Sequence, residues 1–352
     1  MAPKSLLEII CSICLVAIVV MLGLGRLAFI LPPLDWFSHF PATALIGSVI
    51  LTAILAVTRC WRACWLGFAT MVFSALLLTA PYLGSSRHPA GLKAANLVIA
   101  AGNVLVSNIH LDEVVDSLPD ADVIALIETS SAWKGILPSL EERWPRHWSD
   151  LRDNPFGISV LTRAPVQSSE WIMLTPGGYP AFKLEIDVDG MPVTVLAVHA
   201  MSPQSLHMLE TRDAQLAMLT DLIREIPGNL ILIGDLNASL WSSSLLKLMH
   251  ETGLRSTRAN MGFKGVNSGT WPTQAPAIMR LPIDHCLVRG NIEPVAMNTF
   301  MIPGADHLGI QVELAVHDAA DQPPARRSRW KEPSPPWAMF WRYPERDHDT
   351  RP

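Results

Sequence analysis

Three long uncharged stretches lie near the start of the chain: 17 residues between Glu8 and Arg26, 19 between His39 and Arg59, and 24 between Arg62 and Arg87. About 20 apolar residues at a rise of 1.5 Å cross a hydrocarbon core, so residues 1–83 are expected to form three transmembrane helices. Taken alone, the first stretch has the shape of a signal peptide, with Lys4 ahead of an apolar run. The two further stretches and the lack of a clear small-residue cleavage site favour an uncleaved helix. Lys4 precedes the first stretch, the loop 32–41 has no Lys or Arg, and Arg59 and Arg62 separate the second from the third. Positive charge marks the cytoplasmic side, which predicts a cytoplasmic N-terminus and an extracytoplasmic chain after the third helix. No ionisable residue sits near the centre of any stretch, so an anchor is expected rather than an ion path.

The mean hydropathy of +0.27 therefore describes two unlike parts. Residues 1–90 carry five Lys/Arg and two Asp/Glu, and nearly all remaining charge lies beyond them. Of five cysteines, only Cys286 lies outside the apolar part, which excludes a disulfide framework or a cysteine-rich zinc site there. After a short linker, 84–90, the pattern becomes short apolar runs separated by polar, helix-period stretches, as in an α/β or α+β domain over 91–317. Strands are expected at 96–101, 123–127, 157–161, 181–186, 193–198, 230–233 and 283–288. A helix is expected over 205–226, stopped by Pro227-Gly228, and a second from the serines after Trp241 to Gly253. The Pro/Arg/Trp-rich tail, 318–352, has no apolar period and is expected to be disordered.

Several apolar runs end in residues that a core disfavours: Asn103, Glu128, His199, and Asp235 followed by Asn237. Asp284-His285 and Asp306-His307 extend the pattern. Singly, each has a structural explanation: a solvated loop, a turn, a hydrogen-bonded core histidine. Jointly they make an oxygen-rich, cysteine-free set suited to Mg²⁺ or Mn²⁺. His307, with Asp284 to orient it, supplies a proton-handling pair, and the whole set suits hydrolysis at phosphorus.

The segments Asn103-Val104-Leu105, Asp122 to Glu128, Gly157 to Arg163, Val198-His199, Gly234-Asp235-Leu236-Asn237, Thr270-Trp271-Pro272, Ile283-Asp284-His285 and Gly304-Ala305-Asp306-His307 occur in this order. The chain thereby resembles the endonuclease/exonuclease/phosphatase superfamily over residues 94–315, and with its N-terminal helices it looks like a membrane-anchored bacterial branch. The Gly-Asp-x-Asn and closing Asp-His segments are the most specific. The resemblance implies a two-sheet β-sandwich flanked by helices and preceded by three transmembrane helices. It implies Glu128 as the principal metal ligand, with Asn103 and Asp306 near the metal. Asp235 would orient or deprotonate the attacking water, and Asn237 would help hold the phosphoryl group. His199 and His307 would contact phosphate oxygens, His307 being oriented by Asp284. Leu105 and Ile127 replace the acid and the Gln that many members carry, so one catalytic metal is expected.

Asn103 and Trp271 are candidate substrate contacts, although Trp271 is expected more often to pack its loop. Arg212 is expected to form a structural salt bridge. Residues 91–317 hold 15 Lys/Arg against 24 Asp/Glu, a poor balance for gripping duplex DNA, whose phosphates dominate affinity. A lipid headgroup, a small diester or a nucleic-acid end remains open as substrate. A multi-pass inner-membrane protein with an extracytoplasmic hydrolase domain is the leading reading. An extracytoplasmic nuclease and an inactive anchored binding module are the alternatives. Nothing points to a protein partner.

Overall fold

In the computed structural model, residues 3–83, 94–174 and 178–318 are described. The expected linker, 84–90, and all but the first residue of the expected tail, 318–352, lie outside them. Twelve strands build two six-stranded sheets. In chain order they are β1 (Leu97–Asn103), β2 (Val123–Ile127), β3 (Arg146–Asp150), β4 (Ile158–Thr162), β5 (Val166–Met173), β6 (Pro180–Val188), β7 (Met191–His199), β8 (Asn229–Asp235), β9 (Arg255–Ser256), β10 (Asp284–Arg289), β11 (Ile292–Met301) and β12 (Leu308–Val316). The first sheet has the order β11-β12-β1-β2-β4-β3 and the second β5-β6-β7-β8-β10-β9. The expected two-sheet architecture is the one found.

The central strands read as unbroken apolar runs because both of their faces are buried. In β8, Ile231 and Ile233 enter the layer between the sheets, while Leu230 and Leu232 face helices outside. In β2, Val123, Ala125 and Ile127 point between the sheets, and Ile124 and Leu126 point outward beneath Trp133 and Trp144. This is the two-residue alternation of a pleated strand, with apolar material on either side. All seven expected strands appear. The sequence reading missed β3, β5, β9, β11 and β12, of which β3, β5, β9 and β11 are sheet edges and need few apolar side chains.

Six helices matter to the site: α1 (Pro3–Arg26), α2 (Pro41–Val57), α3 (Trp61–Thr79), α4 (Leu111–Ser117), α5 (Leu206–Glu225) and α6 (Ser243–Thr252). The expected 205–226 helix is α5, and the Ser205 hydroxyl accepts from the Met208 N–H as its cap. α6 ends at Gly253 in the left-handed region, as expected. Its start differs from expectation: Ser242 makes no side-chain cap, and the Ser243 N–H donates instead to the Asp35 carboxylate at 2.8 Å.

Two N-terminal helices are long and apolar enough to cross a membrane, Leu6–Arg26 and Trp61–Tyr82. The expected middle span is altered. α2 has 17 residues and qualifies only together with the 3₁₀ segment Pro32–His39, from which it bends by 55°. That break has a physical reason, since Pro41 lacks an N–H and starts a helix rather than continuing one. The N-terminal helices also pack on the sandwich. Leu78 and Tyr82 join the apolar cluster formed by β8, α5 and α6, with Ala42 and Leu45 against it.

Candidate active site

The strand registers bring the chemistry-bearing residues to one edge. β1 and β2 run parallel with Asn103 opposite Ile127, so Asn103 and Glu128 leave the first sheet side by side. β7 and β8 also run parallel, pairing His199 with Asp235, while antiparallel β10 sets Asp284 opposite Asp235. β12 runs antiparallel to β1, so its leading residues Asp306 and His307 arrive at the same edge. Three residues there adopt left-handed backbone: Leu105 (φ 64°), Glu128 (φ 66°) and Asn237 (φ 47°). Such strain in non-glycine residues persists only where surrounding contacts enforce it, and it clusters at functional sites. Gly234, by contrast, must be glycine. Its φ is +133°, and a Cβ there would lie 2.1 Å from the Val198 carbonyl oxygen on the neighbouring strand.

Asp235 is buried at the centre. Asn103 Nδ2 lies 3.2 Å from its Oδ2 and the Asn237 N–H donates to its Oδ1 at 2.9 Å. His199 Nε2 and His307 Nε2 approach Oδ2 to 3.7 and 3.8 Å. Those distances are too long for hydrogen bonds but suit a bridging water or phosphoryl oxygen. Burial and the Asp284 charge push the Asp235 carboxyl up to about 6, against the pull of both histidines. It titrates where a general base is useful.

His307 Nδ1 donates to Asp284 Oδ2 at 2.9 Å. Burial alone would lower its pKa, but the Asp284 carboxylate, helped by Asp235 and Asp306, overrides that and holds it at about 10. His307 is thus an imidazolium at neutral pH, its Nε2–H turned to Asp235. Asp284 is held below the ordinary carboxylate range despite its burial, chiefly by His307. Behind it, the buried Arg258 donates to the Asp284 main-chain oxygen at 2.7 Å. His199 Nδ1 donates to the Pro155 carbonyl at 2.7 Å, which turns Nε2 into the cleft. Asn237 Nδ2 donates to the Ala200 carbonyl at 3.0 Å and lies 3.4 Å from His199 Nε2.

Glu128 Oε1 accepts from Asn103 Nδ2 at 2.8 Å and Oε2 from the Val106 N–H at 3.0 Å. Asn103 turns its amide nitrogen to both acids and spends its oxygen on the Leu105 N–H, so here it clamps Glu128 rather than offering a ligand oxygen. Asp306 Oδ2 accepts from the Trp271 indole at 2.9 Å. Trp271 in this arrangement ties its loop to Asp306, with its ring 6.4 Å from that of His307. Among the described residues, Asp235, Asp284 and His307 place ligand atoms within 4.8 Å of one another. The proton shared between His307 and Asp284 already satisfies two of those three. The site as a whole still fits a hard divalent cation. Glu128, Asp235, Asp284 and Asp306 gather at one edge, no Lys or Arg side chain pairs with any of these carboxylates among the described residues, and the donors are oxygens.

Sequence reasoning did not identify Asp35 or Arg258 as parts of this region. Asp35 had one signal: it is the sole acid between Glu8 and Asp112. Arg212 does form a salt bridge, yet with Asp35 as well as Asp213, both at 2.8 Å.

Comparison with known proteins agrees with the geometry. The Endonuclease/Exonuclease/phosphatase family profile matches residues 102–307, more than half of the chain. No curated protein matches the chain by sequence. Among solved structures, the sandwich is similar to D. rerio TDP2 complexed with single-strand DNA product, at TM-score 0.53 and 19% identity over 62% of this chain and 99% of that one. It is similar to an endonuclease/exonuclease/phosphatase from Beutenbergia cavernae, at TM-score 0.50 and 19% identity over 64% and 72%. It is likewise similar to the 3′ phosphatase NExo from Neisseria bound to product DNA hairpin, at TM-score 0.50 and 16% identity over 62% and 99%. The chain belongs to the endonuclease/exonuclease/phosphatase family and is a phosphoric ester hydrolase of that type.

Proposed function

We propose that the protein is a membrane-anchored, Mg²⁺-dependent phosphodiester hydrolase whose catalytic part lies outside the cytoplasm. The observation that carries the chemistry is the contrast between Asp235, titrating near 6, and His307, protonated up to about 10, 3.8 Å apart at one strand edge. Opposite protonation states at neutral pH suit a base and a phosphate-binding acid. Asp235 Oδ2 takes a proton from the attacking water. His307 Nε2–H faces the oxygens that gain charge as the phosphorus becomes five-coordinate, with the Asn237 amide and His199 Nε2, 3.4 Å apart, lining the same cleft. Asp284 keeps the proton on His307, and Asn103 holds Glu128 in place. Glu128 would hold the divalent cation, with Asp306 beside it, and the cation supplies charge neutralisation at the phosphoryl group. Trp271 braces the loop that presents Asp306.

The substrate reading rests on where the N-terminal helices touch the sandwich. Trp36 donates to the Pro203 carbonyl at 2.7 Å, His39 Nδ1 lies 2.8 Å from Ser239 Oγ, and Trp241 donates to the Leu77 carbonyl at 2.9 Å. These residues belong to the segments after β7 and β8, the two strands that end in His199 and Asp235. The catalytic edge is therefore the edge beside the apolar helices, which favours a phosphodiester presented at a lipid surface. The acidic balance of the domain agrees. A second reading, a nuclease for nucleic-acid ends, is favoured by the likeness to the two DNA-bound structures.

The test is turnover by the full-length protein in detergent micelles with Mg²⁺, on phospholipid diesters and on oligonucleotides with free 5′ and 3′ ends. Faster turnover of the lipid supports the first reading. Faster cleavage of the oligonucleotides replaces it with the second, and no turnover of any phosphoester overturns both.

A further inference from the structure

Connecting segments ordinarily run along a surface, where water satisfies their backbone groups. The stretch 236–243, which runs from the end of β8 into the first residue of α6, is instead buried at every residue. Its cover comes from the N-terminal part of the chain. Arg26 donates to the Trp241 carbonyl at 3.1 Å and His39 reaches Ser239. Asp35 takes hydrogen bonds from the Ser242 hydroxyl at 2.6 Å and the Ser243 N–H at 2.8 Å.

Asp35 does more than cap α6. Its Oδ2 lies 2.8 Å from Nη2 of Arg212, and both side chains are fully buried. Nη1 of the same guanidinium donates to the main-chain oxygen of Asn237 at 3.2 Å. One ion pair thus connects the segment between the first two apolar helices to the backbone of Asn237. That backbone is left-handed (φ 47°), a conformation open to asparagine, and the Arg212 donor fixes its carbonyl. The second carboxylate on Arg212 is its chain neighbour Asp213, at 2.8 Å. Without the Asp35 charge, Arg212 keeps a partner on α5 and loses the pull that aims it at Asn237.

We propose that Asp35 is a positioning residue for the reaction, holding the 236–243 segment, and with it the Asn237 amide, in its working geometry through Arg212. The N-terminal segment is then a component of the active site and not only its tether. The inference rests on the assignment of Asn237 to the phosphate grip made above.

The test uses full-length protein in detergent micelles, with Asp35→Asn, Asn237→Ala and the double variant. Asn at position 35 keeps an acceptor for the Ser243 N–H, so α6 retains its cap. Small misplacements of a catalytic group cost up to about 100-fold, and Asp35→Asn is expected to lower kcat roughly 10- to 100-fold with KM changed far less. In the Asn237→Ala background it should lower kcat by less than about twofold, because both changes act on one group. Equal losses in the two backgrounds would overturn the proposal in favour of a general structural role. Amide hydrogen exchange decides the linkage even if wild type hydrolyses no phosphoester tried, an outcome that would count against the functional reading alone. Asp35→Asn should speed exchange across residues 236–243 while β1 and β2 keep the wild-type rate. Unchanged exchange in 236–243 would refute the coupling.

Discussion

Replacing Asp284 by Asn is expected to change the pH at which His307 works, not merely the rate. The rise of the His307 pKa from 6.5 to about 10 corresponds to roughly 5 kcal/mol in favour of the imidazolium. Asp284 is the largest contributor to that rise, through its charge and its hydrogen bond at 2.9 Å. In the variant, burial is left opposed only by the weaker pull of Asp235 and Asp306, and the pKa falls toward or below its ordinary value. A histidine titrating at about 6.5 is charged in roughly one molecule in thirty at pH 8. The wild-type group, by contrast, keeps its charge until the pH nears 10. Losing a positioned proton donor typically costs about 10²- to 10⁴-fold. The assay is kcat/KM for bis(p-nitrophenyl) phosphate with saturating Mg²⁺, from pH 5.5 to 9, for wild type and Asp284→Asn. The ratio of variant to wild type should be about 0.01 or lower at pH 8 and climb as the pH falls toward 5.5. A ratio that stays constant with pH would refute the claim that Asp284 acts by keeping His307 charged.

Asp235 must be ionised to accept a proton, so kcat/KM of wild type should decline as the pH drops below about 6; a flat profile down to pH 5 would contradict its role as base. Glu128→Gln should raise the Mg²⁺ concentration needed for half-maximal rate by about tenfold or more, as expected when a ligand charge is lost, and an unchanged titration would place the cation elsewhere. Gly234→Ala drives a Cβ to within 2.1 Å of the Val198 oxygen at φ +133°. It should cost about 3 kcal/mol and lower Tm by roughly 10 °C, measured by circular dichroism. The fragment 94–318 loses Asp35 and uncovers Leu240 and Trp241, which are nearly fully buried in the whole protein. Losing the Asp35 partner of Arg212 and exposing these apolar side chains should make the fragment melt lower and turn over more slowly than the full chain. Equal behaviour would show that the N-terminal segment is dispensable.

The parts of the fold legible in sequence were those whose physics is local. β2 and β8 are buried on both faces and announce themselves as apolar runs, and α5 carries its Ser205 cap and its Pro227-Gly228 stop. Edge strands such as β5, with Glu170 and three exposed neighbours, carry no such pattern and were missed. In the candidate site, the residues expected from the order of motifs do converge, because parallel pairing of β1 with β2 and of β7 with β8 sends their ends to one edge. What local reading could not foresee was which atoms face which. The amide nitrogen of Asn103 turns to Glu128, Trp271 engages Asp306, and the shared proton draws His307 to Asp284. Nor could it pair Arg212 with Asp35, 177 positions away, since such a contact depends on where the N-terminal helices dock.

The most direct measurement is hydrolysis of bis(p-nitrophenyl) phosphate by the purified full-length protein with Mg²⁺, with EDTA, and with Asp235→Asn in place of wild type. The account predicts turnover by wild type with Mg²⁺, its loss in EDTA with recovery when Mg²⁺ is restored, and a loss of at least about 1000-fold in the variant, as expected when a general base is removed. Turnover that survives EDTA, or that Asp235→Asn retains, would contradict it.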